Sequence, residues 1–239
     1  MNKEKLVSEL KNIGINLSEE QLKQIDEFCL FLLAENKKYN LTAIREYEDV
    51  LLKHVYDSLT LAMATNLESE AMLLDIGSGA GFPGIILQIA FPKLKVTLLD
   101  SNGKKTTFLK LVKEKLNLEN LTVINSRAED YIKNNREGFD LVTARAVASL
   151  NILVELAIPF LKTNGIFIAM KADIKNEIEI AKEASAVLNA SLEGIQKFNL
   201  PIENSQRTLV TFKKNKPTPT QYPRRYDQIV KKPLKKTSK

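Results

Sequence analysis

Apolar positions near the start of the chain recur at helical spacing. Leu6, Leu10 and Ile13 share one face of a helix over 3–13, which Gly14 stops. Ser18 with Gln21 three residues on forms a capping box. The helix it opens carries Leu22, Ile25, Cys29, Leu32 and Leu33 on the helical period. A third helical pattern spans 46–65, with Leu52, Val55, Leu59 and Met63 on one side. The pattern then changes to short apolar runs at 72–76, 96–100, 121–124, 139–142 and 166–170. Helical patterns lie between and after them, at 104–116, 128–135, 149–162 and 175–189. Strands alternating with helices at this spacing predict an α/β fold, a doubly wound and mostly parallel sheet covered on both faces. A late strand is predicted at 207–212 and a weaker one near 192–198. The chain thus divides into a helical leader over 1–68, a core over 69–213 and a tail over 214–239.

Charge sharpens this division. Residues 213–239 hold ten Lys or Arg against one acid, so they carry +9 while the other residues carry −3. The same segment holds half of the eight prolines, which predicts an extended or irregular arm. A basic arm suits a polyanion, because Lys and Arg displace counterions from phosphates, and Tyr222 and Tyr226 are placed to stack on unpaired bases. Composition excludes several classes. One cysteine and one histidine permit neither an internal disulfide nor a Cys- or His-rich metal centre, so no metal is expected. The longest apolar run, 28–34, is far short of a bilayer span, and the polar start resembles no signal peptide. A cytoplasmic protein with no membrane partner, acting as a monomer, is the expectation.

The chemistry concentrates at Asp75-Ile76-Gly77-Ser78-Gly79-Ala80-Gly81-Phe82-Pro83-Gly84, between the first strand and a helix. Glycines there let the backbone turn tightly and approach a ligand. Asp100 ends the second strand 23 residues after Gly77, where an acid accepts hydrogen bonds from ribose hydroxyls. Two cofactors fit the loop. Gly79 to Gly84 matches the G-x-G-x-x-G of nicotinamide dinucleotide oxidoreductases. The frame Asp75-x-Gly77-x-Gly79-x-Gly81 instead suits S-adenosylmethionine, which has no pyrophosphate, with Asp75 meeting its amino group. Arg127-Ala128-Glu129-Asp130 after the third strand offers acids and amides for adenine. A non-catalytic RNA-binding module is a third reading.

These residues resemble the glucose-inhibited division protein B family, bacterial methyltransferases of small-subunit ribosomal RNA. The likeness includes Asn40-Leu41-Thr42, His54 to Leu59, the loop Gly77 to Gly84, Asp100-Ser101 with Lys104-Lys105 and Phe108-Leu109, and Arg127-Ala128-Glu129. It continues through Arg145-Ala146-Val147, Arg207-x-Leu209-Val210 and Thr218-Pro219-x-x-Tyr222-Pro223-Arg224-Arg225. The resemblance implies a class I S-adenosylmethionine-dependent methyltransferase with a Rossmann-like core, acting on N7 of guanine 527 of 16S ribosomal RNA or its subunit precursor. It implies cofactor contacts at Gly77, Phe82, Ala128, Glu129 and Arg145, beside Gly79 and Asp100. Lys171, Arg224 and Arg225 are candidates for the RNA. The chain departs from the family pattern at Ala172 and Tyr226, where glycine is usual.

Guanine N7 has no proton to lose, so transfer to it needs alignment more than acid–base help, and no catalytic base is expected. Carbon methylation would need a thiolate, but Cys29 sits on an apolar helix face. The Asn/Asp-Pro-Pro-aromatic loop common for exocyclic amines is absent; Ala144-Arg145-Ala146 stands in its place. Arg145 ends the fourth strand, at the site or in an ion pair with a nearby acid. His54 and Asp57 are helix neighbours, suited to leader packing or to RNA. Lys104 and Lys105 form a solvated face or hold phosphate.

Overall fold

The computed structural model describes residues 1–145, 148–174 and 177–234. The Ala146-Val147 part of the resemblance, the first two residues of the predicted helix 175–189, and Lys235, Lys236 and Lys239 lie outside the described residues.

Seven strands form one sheet: β1 (Ala71–Ile76), β2 (Leu94–Asp100), β3 (Leu121–Asn125), β4 (Phe139–Arg145), β5 (Leu161–Lys171), β6 (Ala190–Asn199) and β7 (Gln206–Lys214). Their order is β3-β2-β1-β4-β5-β7-β6. The first five are parallel, and β7 pairs antiparallel with both β5 and β6. The chain winds outward from β1 in one direction and from β4 in the other. A crevice therefore opens beyond the carboxyl ends of β1 and β4, where open α/β sheets take ligands. Neighbouring side chains point to opposite faces: Leu73 joins one core cluster and Leu74 the other. Both faces are buried, which is why the central strands read as unbroken apolar runs.

The leader covers one face. It comprises α1 (Lys3–Asn12), α2 (Glu19–Tyr39), and a helical stretch from α3 (Tyr47–Val50) through a π-helical turn (Leu51–Tyr56) and α4 (Asp57–Leu59) to a 3₁₀ turn (Thr60–Met63). The predicted capping box opens α2, and Gln21 Nε2 also donates to the Ile89 and Ala90 carbonyls at 3.0 and 2.9 Å. Those carbonyls end α5 (Gly84–Ala90), so the cap ties leader to core. Leu6, Ile25, Leu32 and Val55 share one continuous cluster with Ile85, Leu98 and Phe108, the last on α6 (Gly103–Lys115). The opposite face carries α7 (Ala128–Asn135), α8 (Leu150–Ala157) and α9 (Glu177–Val187). The predicted helix over 149–162 stops early, at Ala157, and a 3₁₀ turn containing Pro159 passes directly into β5. No helix among the described residues is long and apolar enough to cross a membrane.

The tail corrects the sequence reading. Its backbone is irregular over 215–225, as expected, but up to Leu234 it is docked on the core and not free. Arg136 donates to the carbonyls of Thr218, Pro219 and Tyr222 at 2.6–3.0 Å. Lys214 is fully buried and donates to Glu137 at 2.8 Å and to the Leu161 carbonyl at 2.7 Å. A short helix, α10 (Tyr226–Lys231), follows, and its Ile229 is completely buried in the second cluster. Burying such a side chain stabilises by about 1.5–3 kcal/mol. Proline composition pointed to an open arm, but buried apolar and ionic anchors outweigh it.

Candidate functional site

The loop after β1 is built by its glycines. Gly77, Gly79 and Gly81 all have positive φ, at 72°, 59° and 98°. The amides of Gly77 and Ser78 donate to the Leu99 carbonyl at 2.7 and 3.3 Å, folding the loop over the end of β2. A Cβ at Gly81 would lie 2.3 Å from Ile85 Cδ1, whereas one at Gly79 would meet nothing closer than 3.8 Å. Gly81 therefore serves packing, and Gly79 leaves open space over the loop.

Asp75 and Asp100 hold this loop from two sides. Asp75 is completely buried, and its Oδ2 accepts from the Gly84 amide at 3.0 Å, capping the start of α5. Its Oδ1 has no hydrogen-bond partner. Burial pushes its pKa up to about 7, against the opposing pull of the Gly84 amide and the Arg145 charge. Asp75 is thus a structural acid beneath the loop and does not line the cavity, which corrects its reading as a partner for an amino group. Asp100 accepts from the Gly79 amide at 2.9 Å and from the Asn102 amide at 2.8 Å. Each carboxylate oxygen keeps a further lone pair for a ligand hydroxyl.

A cavity of about 450 Å³ lies along these strand ends. Gly77, Gly79, Phe82, Asp100, Ala128, Glu129 and Arg145, all singled out from sequence, line it. Ala128 and Glu129 open α7, whose first turn has no side-chain cap from Arg127. Lys105 also borders the cavity, whereas Lys104 faces solvent. Reading the sequence missed Leu156 as a wall residue and assigned Tyr226 to RNA; both line this cavity.

Arg145 and the leader close the β4 end. Arg145 donates to Asp57 Oδ2, to the Lys53 carbonyl and to His54 Nδ1, each at 3.1 Å. Asp57 Oδ1 also accepts from Arg207 Nε at 3.1 Å, so one buried carboxylate joins two guanidiniums. The Arg145 guanidinium lies 5.3 Å from the Phe82 ring centroid, and the His54 ring stacks on Phe82 at 4.4 Å. The His54 ring is held at both nitrogens: Nε2 lies 3.0 Å from Thr42 Oγ1, and Nδ1 lies 3.2 Å from the Lys53 carbonyl as well as beside Arg145. Burial, reinforced by the Arg145 charge, lowers the His54 pKa to about 3. Burial likewise pulls Arg145 below its ordinary value, and Asp57 opposes the shift. Thr42 is presented by Asn36, whose buried amide bonds Leu41, Thr42 and Ile44 backbone groups at 2.7–3.3 Å. His54 and Asp57 thus pack leader against sheet and also wall the site.

A second cavity of about 350 Å³ adjoins the first, and His54 and Arg145 line both. Its further walls include Asp57, Lys171 and Arg207. Lys171 is mostly buried and donates to Glu177 at 3.1 Å and to the Ala148 carbonyl at 3.0 Å. Arg225 is exposed and pairs with Asp227 at 3.3 Å. Arg224 is not free for RNA. Its Nε and Nη2 grip the completely buried Glu155 at 2.8 and 2.6 Å, and Nη1 donates to the Lys232 carbonyl at 2.9 Å. Cys29 is buried in the leader, and burial raises its thiol pKa, so it is no nucleophile. No group of metal-ligating side chains occurs among the described residues.

Residues 21–210 match a family model described as rRNA small subunit methyltransferase G. A relative from Oceanobacillus iheyensis, a ribosomal RNA small subunit methyltransferase G, is 46% identical over 98% of this chain and 100% of its own. One of the same name from Bacillus subtilis is 44% identical over 98% and 99%. The fold is similar to a solved putative sarcosine dimethylglycine methyltransferase from Galdieria sulphuraria (TM-score 0.56, 13% identity, 71% of this chain and 88% of that one). It is also similar to M. jannaschii TYW2, solved in complex with AdoMet (TM-score 0.51, 17% identity, 61% and 69%).

Proposed function

This chain belongs to the rRNA small subunit methyltransferase G family, S-adenosylmethionine-dependent enzymes with a class I fold, and from that premise we propose that it methylates N7 of a single guanine of 16S ribosomal RNA, guanine 527 by family resemblance. The observation that carries the reading is the pair of adjoining cavities with a common wall of His54 and Arg145. One takes the cofactor and the other the base, so donor and acceptor meet at that wall.

The residues of the first cavity fit S-adenosylmethionine. Gly79 leaves the loop backbone open to the ligand, and Gly77, also at positive φ, lines the same cavity. Asp100 and Glu129 are acceptors, which suits ribose hydroxyls and the adenine amine and repels a diphosphate. The amides of Ala128 and Glu129, at the start of α7, are donors that would suit the ring nitrogens, and Phe82 and Arg145 would bound the methionine end. When bound, S-adenosylmethionine supplies a methyl carbon already made electrophilic by its sulfonium.

The chain's own work is positioning. Transfer to N7 removes no proton, so no general base is required. His54 is hydrogen-bonded to Thr42, and burial keeps it neutral, so it does not take part as an acid. Asp57 fixes the Arg145 fork, so the side chains lining the junction where donor and acceptor meet are held in place. Lys171 and Arg207 line the base cavity, and Arg225 is available to phosphate at the surface. The test is tritiated-methyl transfer to unmodified small-subunit RNA, run beside RNA carrying 7-deazaguanine at the target. Label is expected in the first and not in the second; equal labelling of the carbon analogue overturns the N7 assignment.

A further inference from the structure

We infer that Tyr226 is a cofactor-binding residue, and that the docked tail closes the adenine end of the cavity. The inference rests on the cofactor lying in the first cavity with its ribose at Asp100. Asp100 ends β2, between the β3 end on one side and the β1 and β4 ends on the other. The base cavity opens at the β4 and β5 ends, so the transferable methyl faces β4. The adenine then points to the β3 end. Ala128 and Glu129, which follow β3, line the cavity there, and Leu156 of α8 and Tyr226 of α10 line the same cavity.

Tyr226 is held in place by the residues around it. Arg224, two positions earlier, grips Glu155 on α8, immediately before the wall residue Leu156. Ile229, one turn later on α10, is buried in the core. The tyrosine itself remains 38% exposed and is one of the residues lining the cavity. An aromatic ring and an apolar side chain in the walls of one cavity suit a purine, which stacks without needing a hydrogen bond. The expectation that this ring stacks on unpaired RNA bases is thereby redirected to the base of the cofactor.

The test compares wild type with Tyr226→Ala and Tyr226→Phe by titration calorimetry with S-adenosylhomocysteine, and by filter binding to small-subunit RNA. Tyr226→Ala is expected to weaken S-adenosylhomocysteine about tenfold, within the range for aromatic–base stacking. Tyr226→Phe should stay within about twofold of wild type, since it keeps the ring. RNA affinity should be unchanged in both. Unchanged S-adenosylhomocysteine affinity in Tyr226→Ala overturns the inference, and a loss confined to RNA binding assigns the ring to RNA instead. A wild-type chain that binds no S-adenosylhomocysteine overturns the underlying cofactor site as well, so the two failures are distinguishable.

Discussion

Replacing Arg224 by alanine tests whether the basic tail is a free arm or an anchored part of the enzyme. Arg224 ties tail to core: its backbone amide and its Nε donate to Glu155 Oε1 and its Nη2 donates to Oε2. Removing one partner of a buried ion pair costs about 3–5 kcal/mol, because the other charge is left unpaired. The Glu155 side chain has no exposure and that of Arg224 has 22%. Water therefore already reaches one partner, and the lower end applies, about 3 kcal/mol. For a chain of this size each kcal/mol moves Tm by about 2–4 °C, so Arg224→Ala should melt roughly 6–12 °C below wild type. Arg225→Ala removes an exposed charge from the same segment and should stay within about 0.5 kcal/mol. Denaturant and thermal unfolding of both variants measure the difference, and a double-mutant cycle with Glu155→Ala should show coupling above about 1 kcal/mol. If Arg224→Ala is as stable as wild type and loses RNA affinity alone, the anchored tail is wrong.

Three further predictions follow from the loop and its neighbours. Gly81→Ala must place a Cβ 2.3 Å from Ile85 and should lower stability more than Gly79→Ala, whereas Gly79→Ala should weaken S-adenosylhomocysteine binding; melting and calorimetry that give the reverse order contradict the division of roles. Asp75 takes up protons in the folded state that the unfolded chain releases, so its contribution is full below about pH 3.8 and is lost as pH rises through about 7. Asp75→Asn should therefore gain on wild type between pH 4 and 7 in denaturant unfolding; a pH-independent difference refutes the buried-acid account. His54 is the only histidine in the chain, so its ring resonances are unambiguous. Their NMR shifts should stay flat from pH 5 to 8, and a midpoint near 6.5 would refute the buried, neutral imidazole.

The parts of this fold with local signatures were legible in the sequence. The capping box at Ser18 and Gln21, the apolar strands and the glycine loop are short-range patterns, and the structure follows them closely. Gly77, Asp100 and Ala128 were singled out from the glycine loop, the strand ends and the family resemblance, and all three line the first cavity. The ionic framework was not legible, because its partners are far apart in the chain. Asp57 meets Arg145 and Arg207 across 88 and 150 residues, and Arg224 meets Glu155 across 69. One signal was available: Glu155 is the only charge in the apolar helix Leu150–Ala157, and a lone buried acid requires a cation. The tail misled because proline and charge were weighed while its apolar anchors, Ile229 and Leu234, were not.

The most direct test of the two-cavity site is a crystal structure of the chain with S-adenosylhomocysteine. The account predicts the ribose on Asp100, the adenine between Leu156 and Tyr226, and the sulphur turned toward the wall formed by His54 and Arg145. A ligand seated with its adenine against His54 and Arg145, or outside this cavity altogether, would contradict it.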